Sequence, residues 1–387
     1  MSRLISLCLL LCISSLALAS SVEVVYVLSG TTILTYNVDR QNLNYTQVGT
    51  LTVSGASTIG LVPSPNDHFI YVGATDSTQT THLYVYATDA NGAPQSPPTQ
   101  KLYANNLKRL QIDPKANFLY AVYATPTDQG NEMVETIHRF LVNPNNGAVS
   151  GSAIEGKYTL MNISGYSCNL SLTGFNSNAT ELYDQVYCQT HEGPYANYYE
   201  RTVNSTTGAL GPDIQIYAWG SDGNGSGEAV QFVGNRMFDF VFPDYPNPDS
   251  INIYPAVPNT SKPQVQCTAS MLAACGAPNG EVAHPSGRYL FIGNSSGSAT
   301  EIEKIDYSGR KIVDTGNQLP NTFNGFGPPF TPDGTLAFTA VSTSSGYDLQ
   351  VNKFNVSTSQ VTTGAQLSVG SSGPYNIPNV YYTATRF

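Results

Sequence analysis

Two adjacent cations, Lys108 and Arg109, form the most prominent candidate binding group in the sequence. The chain has 387 residues but only 17 lysines and arginines, and both of these cations stand at the start of one short strand. Ammonium and guanidinium groups donate charge-assisted hydrogen bonds to acidic groups. The pair therefore indicates a site for a small acidic or lactone-like ligand.

Two glutamates could add a carboxylate to this site. Glu228 and Glu281, like the cation pair, stand where a short strand of the repeat described below begins. Arg109, Glu228 and Glu281 are therefore candidate binding residues of both signs of charge. Asn324 and Tyr375 occupy similar positions and complete the candidate binding set. The alternative interpretation is that all six residues are exposed loop residues.

The common hydrolytic and metal-binding motifs are missing from the sequence. The five histidines form no His-Glu-x-x-His motif, and no Gly-x-Ser-x-Gly elbow precedes a helix. His284 stands directly before Pro285, which is a turn-capping position. Asp244 and Asp249 lie in a proline-rich segment that is better explained as a surface loop than as a calcium site. We therefore expect no metal and no cofactor.

Four cysteines that follow the first 19 residues are candidates for disulfide bonds, namely Cys168, Cys188, Cys267 and Cys275. No two of them have the C-x-x-C spacing that is typical of zinc sites. Four cysteines allow three pairings. Local pairing, Cys168 with Cys188 and Cys267 with Cys275, is the simplest of the three.

The first 19 residues have the pattern of a secretory signal peptide. Arg3 precedes an apolar run over residues 4–13, and Ala17-Leu18-Ala19 is a small-x-small cleavage site. We expect cleavage before Ser20 and a secreted or periplasmic protein. The apolar run is shorter than the roughly 20 residues that a membrane span needs, and no later segment could span a bilayer.

The charge of the chain excludes one class of partner. The formal net charge is −10, the sequence pI is about 4.9, and only 11% of the residues are charged. Such a chain repels nucleic-acid phosphates on average, and no run of lysines and arginines reverses this locally. We expect no nucleic-acid partner.

Two repeated units run through the chain and must position the candidate residues. The first has the pattern x-Pro-x-small-x-apolar-apolar-aromatic, in which the small residue is Gly, Asp or Ala. Clear copies begin at Ser64, Asp113, His284 and Thr331, and degenerate copies fit around residues 174 and 234. The second unit is an alternating strand followed by a polar turn. Its seven copies begin with residues 33–38, 83–86, 137–142, 198–203, 251–254, 303–306 and 351–356.

The period of the repeats predicts the fold. About 50 residues hold four short strands, and a small sheet cannot bury both of its faces alone. We predict an all-β fold, a seven-bladed β-propeller with four-stranded antiparallel blades, as a single domain over residues 20–387. A β-sandwich pair and a solenoid are the alternatives. Because no Pro-bearing unit precedes residues 22–28, both termini should close the first blade, residues 374–387 supplying the missing strand.

The strands after the proline turns resemble those of a known group. Ile70-Tyr71-Val72-Gly73 and Leu290-Phe291-Ile292-Gly293 are similar to the strands of seven-bladed β-propeller lactonases of the 6-phosphogluconolactonase-like type. They also resemble related surface-layer propellers with Tyr-Val-Thr-Asn (YVTN) repeats. The resemblance covers nearly the whole chain after the leader and implies a seven-bladed propeller. Lactonase members typically carry a Gly-Pro-Arg-His stretch at an inner strand, where this chain has Asn106-Leu107-Lys108-Arg109.

Two functions of different classes follow from these features. The first is an exported, monomeric, non-catalytic propeller that binds a small molecule, a glycan or a protein at the mouth of its central channel. The second is a lactonase-like hydrolase that acts on a small lactone in that channel. The first rests on the complete repeats and the missing charged motif. The second rests on the resemblance. It implies that Arg109 could replace the arginine of the lactonase stretch and that Glu228 or Glu281 could supply a carboxylate, so these three are the candidate catalytic residues.

Overall fold

The chain folds as an all-β protein. The computed structural model describes residues 22–55, 57–66, 68–127, 131–163, 166–176, 178–191, 193–220, 227–242, 250–255, 263–268, 281–293, 299–320, 330–343, 346–368 and 379–382. Over these ranges the chain forms strands without any helix, and the strands pair into antiparallel sheets. No membrane-spanning helix is therefore present in the described part of the chain.

Two four-stranded sheets contain the first seven strands, with strands numbered in chain order. The first sheet has the order β27 (Asn379–Tyr382), β1 (Val22–Ser29), β2 (Thr32–Asp39), β3 (Tyr45–Thr52). The second sheet has the order β4 (Ser57–Pro63), β5 (Phe69–Thr75), β6 (Thr81–Ala87), β7 (Gln100–Tyr103).

The next sheet has eight strands rather than four. Its strands run from β8 to β15 in order: β8 (Leu107–Ile112), β9 (Phe118–Pro126), β10 (Glu132–Val142), β11 (Val149–Ile163), β12 (Tyr166–Phe175), β13 (Glu181–Thr190), β14 (Gly193–Thr202), β15 (Ile214–Gly220). It consists of two successive sets of four strands, β8–β11 and β12–β15. The two sets are joined by two residue pairs, because the last residues of the long strand β11, Asn162 and Ile163, pair with Ser167 and Tyr166 at the start of β12.

Three sheets contain the remaining strands. The first two have four strands each: β16 (Gly227–Val233), β17 (Arg236–Phe242), β18 (Ser250–Tyr254), β19 (Val265–Thr268), and β20 (Glu281–Ala283), β21 (Tyr289–Gly293), β22 (Ala299–Asp306), β23 (Lys311–Pro320). The last has three described strands: β24 (Leu336–Thr343), β25 (Gly346–Phe354), β26 (Val361–Ser368). This is one strand fewer than the four that the sequence predicts.

The proline-bearing unit forms the tight turn between the first two strands of a repeat. The residue before the proline caps this turn: Asp113 Oδ1 accepts a hydrogen bond from the Phe118 N–H (2.6 Å), and Thr331 Oγ1 accepts one from the Leu336 N–H (3.0 Å). Asn176 caps the degenerate copy near residue 174, where its Oδ1 accepts from the Thr180 N–H (2.8 Å). A short polar side chain that bonds to the backbone nearby favours such turns.

The aromatic residue of the unit joins one repeat to the next. The Tyr71 hydroxyl donates to the carbonyl of Gly147 (3.2 Å), and the Tyr120 hydroxyl donates to that of Gly208 (2.6 Å). Tyr26 bonds to Gly92 in the same way (2.8 Å). Each glycine lies in the hairpin turn of the following repeat. The repeats are therefore held together by a buried hydrogen bond as well as by apolar contact.

The sheets pack through apolar faces, and their first strands follow one another. One core cluster joins Tyr71 and Leu83 of the second sheet to Leu119 and Phe140 of the third. Strand β27 contacts β4, β4 contacts β8, β8 contacts β12, β12 contacts β16, and β16 contacts β20. We call these six the inner strands. The candidate residues that the structure describes all lie on them.

The two ends of the described chain meet in the first sheet. Strand β27 pairs with β1, with Tyr382 opposite Val25 and Asn379 opposite Leu28. The pairing of a C-terminal strand with the first strand, as the sequence predicts, is present. Residues 374–378 and 383–387, which the same prediction includes, lie outside the described ranges.

Candidate functional site

The predicted cation pair lies at the start of β8, where a β-bulge interrupts the pairing with β9. Leu107 pairs with Tyr123 and Arg109 with Val122, so Lys108 is the extra residue. Consecutive side chains of a regular strand point to opposite faces, whereas a bulge re-aims them. Both Lys108 and Arg109 line one cavity, together with the next two residues of β8. Both side chains are exposed to solvent.

This cavity lies between the inner strands β4 and β8. Its volume is about 320 Å³, and it is lined by residues 59–63, residues 108–111 and Leu172 of β12. A volume of this order suits a small molecule. Besides the two cations and Gln111, the lining side chains are apolar. The cavity therefore combines an apolar wall with one cationic edge.

Strand β4 carries a matching bulge on the other side of the cavity. Thr58 pairs with Ala74 and Gly60 with Gly73, which makes Ile59 the extra residue. Ile59 and Gly60 hold the same places in the repeat as Lys108 and Arg109. The two bulges thus shape both walls of the cavity. Bulges are common next to functional sites because they turn a side chain away from the regular alternation.

Glu135 on β10 is a charged neighbour of the cation pair that the sequence analysis missed. Its side chain is only 5% exposed, and its Oε2 accepts a hydrogen bond from the Leu170 N–H of β12 (2.5 Å). Burial raises the pKa of Glu135, while the Leu170 N–H and the charges of Arg109 and Lys108 act in the opposite direction. Glu135 lies in an alternating strand with no motif around it, so no sequence signal identifies it.

The two candidate glutamates lie on neighbouring inner strands. Glu228 is the second residue of β16 and pairs with Val241, and Glu281 is the first residue of β20 and pairs with Ile292. The structure thus places Arg109, Glu228 and Glu281 at the beginnings of inner strands. The side chains of both glutamates lie outside the described part of the structure. Asn324 and Tyr375 also fall outside the described residues.

His284 has the turn-capping role that the sequence predicts. Its ring is fully buried, and Nε2 donates to the carbonyl of Gly334 (2.8 Å), because a carbonyl oxygen can only accept. Nδ1 is then the acceptor for the Ser286 N–H (3.0 Å). Burial lowers the pKa of His284. His284 is a structural residue whose hydrogen bonds join its own turn to the next repeat.

Three buried acidic residues lie on middle strands rather than at the cavity. Burial raises the pKa of Asp184 to about 6, that of Asp239 to about 6 and that of Glu303 to about 7. Asp184 is paired with Arg201 Nε (2.7 Å). Neither oxygen of Glu303 has a hydrogen-bond partner among the described residues. Among the residues that the structure describes, no three metal-binding side chains come together as a metal site.

One predicted disulfide is confirmed. Cys168 of β12 is bonded to Cys188 of β13, and the two are opposite each other in the strand register. Cys267 is also disulfide-bonded. Cys275, its predicted partner, lies outside the described residues.

Comparison with known proteins gives matches among solved structures alone. No family profile and no curated protein matches the sequence. A candidate 6-phosphogluconolactonase from Bacteroides uniformis has a TM-score of 0.59 and 14% identity, over 93% of this chain and 99% of that chain. A second, from Bacteroides fragilis, has a TM-score of 0.52 and 13% identity, over 95% and 99%. A protein from Lactobacillus plantarum has a TM-score of 0.53 and 10% identity, over 94% and 99%.

These likenesses concern the fold, and a shared fold does not by itself imply a shared function. They extend over almost the full length of both chains in each pair. They agree with the antiparallel sheets and with the contacts between successive inner strands. The chain therefore has a β-propeller fold similar to that of the 6-phosphogluconolactonase-like proteins.

Proposed function

We propose that this β-propeller is a binding protein for a small anionic molecule, held in the cavity between β4 and β8. The observation that carries the proposal is that two adjacent cations, Lys108 and Arg109, stand at the bulge of β8 and both line this cavity. A pair of cations on a regular strand would point to opposite faces. The ligand class is a small acid or a lactone-like compound whose anionic group meets Lys108 and Arg109.

The surroundings of the cation pair favour a specific interaction over general attraction. The chain as a whole is acidic, with a formal net charge of −10, so its average field repels anions. The apolar side chains from β4, together with Leu110 and Leu172, cover part of the cavity wall. Charge-assisted hydrogen bonds are stronger where apolar groups exclude water. An anion should therefore bind in this cavity and not over the general surface.

A panel of small anions tests the proposal. Gluconate, glucarate, citrate and inorganic phosphate are added to the wild type and to Arg109→Ala, and the melting temperature is followed. A bound anion raises the melting temperature of the wild type in proportion to its occupancy. We expect at least one anion to do so, and to lose this effect in Arg109→Ala. Stabilisation that is equal in both proteins, or absent for every anion, would refute the proposal.

Lactone hydrolysis is the second candidate function. It is supported by the fold shared with candidate 6-phosphogluconolactonases and by the position of Glu228 and Glu281 at the beginnings of inner strands, as for Arg109. In this alternative the cations hold the anionic group of the lactone, and one of the glutamates takes part in the attack of water. Hydrolysis of a lactone panel by the wild type, lost in Arg109→Ala, would favour this function over pure binding.

We also propose that the sheets form a closed ring of seven blades within a single domain over residues 20–387, close to the YVTN group in its repeats. Three features support this. The seven copies of the alternating strand fall on β2, β6, β10, β14, β18, β22 and β25. Strands β8–β11 and β12–β15 are each a set of four, with a two-pair junction between the sets. Strand β27 completes the first sheet.

Finally, we propose that the protein is exported as a monomer after cleavage before Ser20. The Cys168–Cys188 disulfide supports this, because such bonds persist in oxidising compartments outside the cytosol. The intact mass of the protein recovered from the medium or the periplasm tests the cleavage. A mass that includes residues 1–19 would contradict it.

Size-exclusion chromatography with light scattering tests the monomeric state. A glycan or protein partner remains the alternative to a small molecule at the same channel mouth.

A further inference from the structure

Glu135 lies on β10, the third strand of its repeat, and one strand, β9, separates it from β8, the strand of the proposed anion site. It is opposite Ala124 of β9, and the Ala124 N–H donates to the carbonyl of Asn106, directly before β8 (2.9 Å). This register places Glu135 across β9 from the end of β8 that carries the bulge. The charges of Arg109 and Lys108 both act on its carboxyl group.

The backbone of a neighbouring inner strand fixes this carboxyl group. The Leu170 N–H of β12 donates to Glu135 Oε2 at 2.5 Å, and the contact is buried. Leu172, two residues further along β12, lines the cavity. Glu135 thus connects the third strand of one repeat to the inner strand of the next. A side chain held by a backbone donor keeps its position when the ligand enters or leaves.

The carboxylate changes the charge that a ligand meets. Lys108 and Arg109 contribute two positive charges, and an ionised Glu135 contributes one negative charge nearby. One net positive charge is left for the ligand to neutralise. A second negative charge on the ligand would gain less from the cations because it would also be repelled by Glu135. Selectivity of this kind needs a repulsive group as well as an attractive one.

On the basis of the proposed anion site, we propose that Glu135 is a specificity-determining residue that makes the cavity prefer monoanions to dianions. The preferred ligand class is then a small monocarboxylate, such as a sugar acid with one acidic group, rather than a phosphate monoester or a dicarboxylate. Glu135 acts through the charge it places beside Lys108 and Arg109. It is not assigned a contact with the ligand.

Gluconate and glucarate test this preference because both are six-carbon polyhydroxy acids, with one and two carboxylates respectively. Their affinities are measured by calorimetry at mildly alkaline pH, which favours the ionised form of Glu135, for the wild type, Glu135→Gln and Glu132→Gln. Glutamine keeps an oxygen for the Leu170 N–H but removes the charge. We expect Glu135→Gln to shift the glucarate-to-gluconate affinity ratio toward glucarate by about three- to tenfold. Glu132→Gln, on the same strand, should leave the ratio unchanged.

The outcomes separate this inference from the proposed function. If binding depends on Arg109 but the affinity ratio is the same in Glu135→Gln and the wild type, the specificity role is wrong and the anion site stands. If neither anion binds in a manner that depends on Arg109, the anion site itself is wrong. Glu135→Ala adds a check on structure, because it also removes the acceptor for Leu170. A purely structural role would lower the stability of Glu135→Ala without moving the affinity ratio in either variant.

Discussion

At the scale of single residues, the repeats depend on glycines that leave room for the neighbouring repeat. Gly147 has a φ of +68°, and a Cβ built on it would lie 2.4 Å from Cγ of Phe69. Its carbonyl accepts the hydrogen bond from Tyr71. Gly92 and Gly208 repeat the arrangement against Val24 and Phe118. The residues of the motif that resembles lactonase propellers therefore hold neighbouring repeats together.

Gly147→Ala should destabilise the protein more than Gly151→Ala. Both glycines have a similar positive φ, +68° and +64°, but a Cβ on Gly151 would have no atom within 4 Å. The left-handed backbone costs an alanine about 1 kcal/mol in either variant. We expect Gly147→Ala to lose a further 1–3 kcal/mol, roughly the cost of overpacking a core. Urea unfolding measures the stability of both variants. Equal losses would show that the close contact of Gly147 with the neighbouring repeat does not contribute to stability.

Glu303→Gln should change how stability depends on pH. The pKa of Glu303 rises from 4.5 to about 7 through burial, with Asp314 and Glu301 adding to the effect. The folded state resists ionisation, so the wild type loses stability as pH rises from 4.5 to 7 and stays lower above that range. The variant lacks this loss, which amounts to about 3 kcal/mol at most. Unfolding curves from acidic to alkaline pH measure the stability difference between the two proteins. A difference that does not depend on pH would contradict a raised pKa for Glu303.

At the scale of elements, an ion pair network joins the first sheet to the last. Arg40, after β2, contacts the buried Glu23 of β1 and Asp333 in the turn before β24, both at 2.5 Å. Asp333 has its pKa lowered to about 2, since the hydrogen bond and charge of Arg40, with further hydrogen bonds, outweigh the effect of burial. The side chain of Glu23 is fully buried. This network joins two sheets, whereas the β27–β1 pairing lies within the first sheet.

Arg40→Met should lower the free energy of unfolding by about 3 kcal/mol, the usual cost of removing one partner from a buried pair. The double variant Arg40→Met with Glu23→Gln should recover part of this loss, because the buried charge is then gone as well. Chemical unfolding of the wild type, both single variants and the double variant gives the coupling energy. Strictly additive losses would show that Arg40 and Glu23 do not stabilise each other.

At the scale of the whole molecule, the proposed ring depends on a strand from the C-terminal end of the chain. Strand β27 is bonded to β1 and contacts β4. Removal of residues 374–387 should lower the melting temperature sharply, because β1 and β4 would lose this neighbour. Removal of residues 383–387 alone leaves β27 in place and should have little effect. Similar melting temperatures for both truncated proteins would contradict closure by β27.

The sequence predicts the elements of this fold better than its site. Proline turns, alternating strands and the caps at Asp113 and His284 are local features, and the structure confirms them. The eight-stranded sheet depends on two residue pairs beyond the end of a long hairpin, which no periodicity reveals. Lys108 and Arg109 can be identified as a cation pair from the sequence. The bulge at Lys108 and the cavity that both residues line depend on strand register, which the sequence does not reveal. Glu135 is recruited through the backbone of another repeat, so its role depends on tertiary contact alone.

Gluconate is titrated calorimetrically into the wild type and into the double variant Lys108→Met with Arg109→Met. This measurement tests whether the cation pair of β8 binds a small anion. Arg310→Met with Lys311→Met is the matched control, since it removes another exposed, consecutive cation pair, in the hairpin between β22 and β23. We expect one saturable site in the wild type and the control, with binding weakened at least tenfold in the Lys108 and Arg109 variant. Equal affinities in all three proteins, or no binding to the wild type, would contradict it.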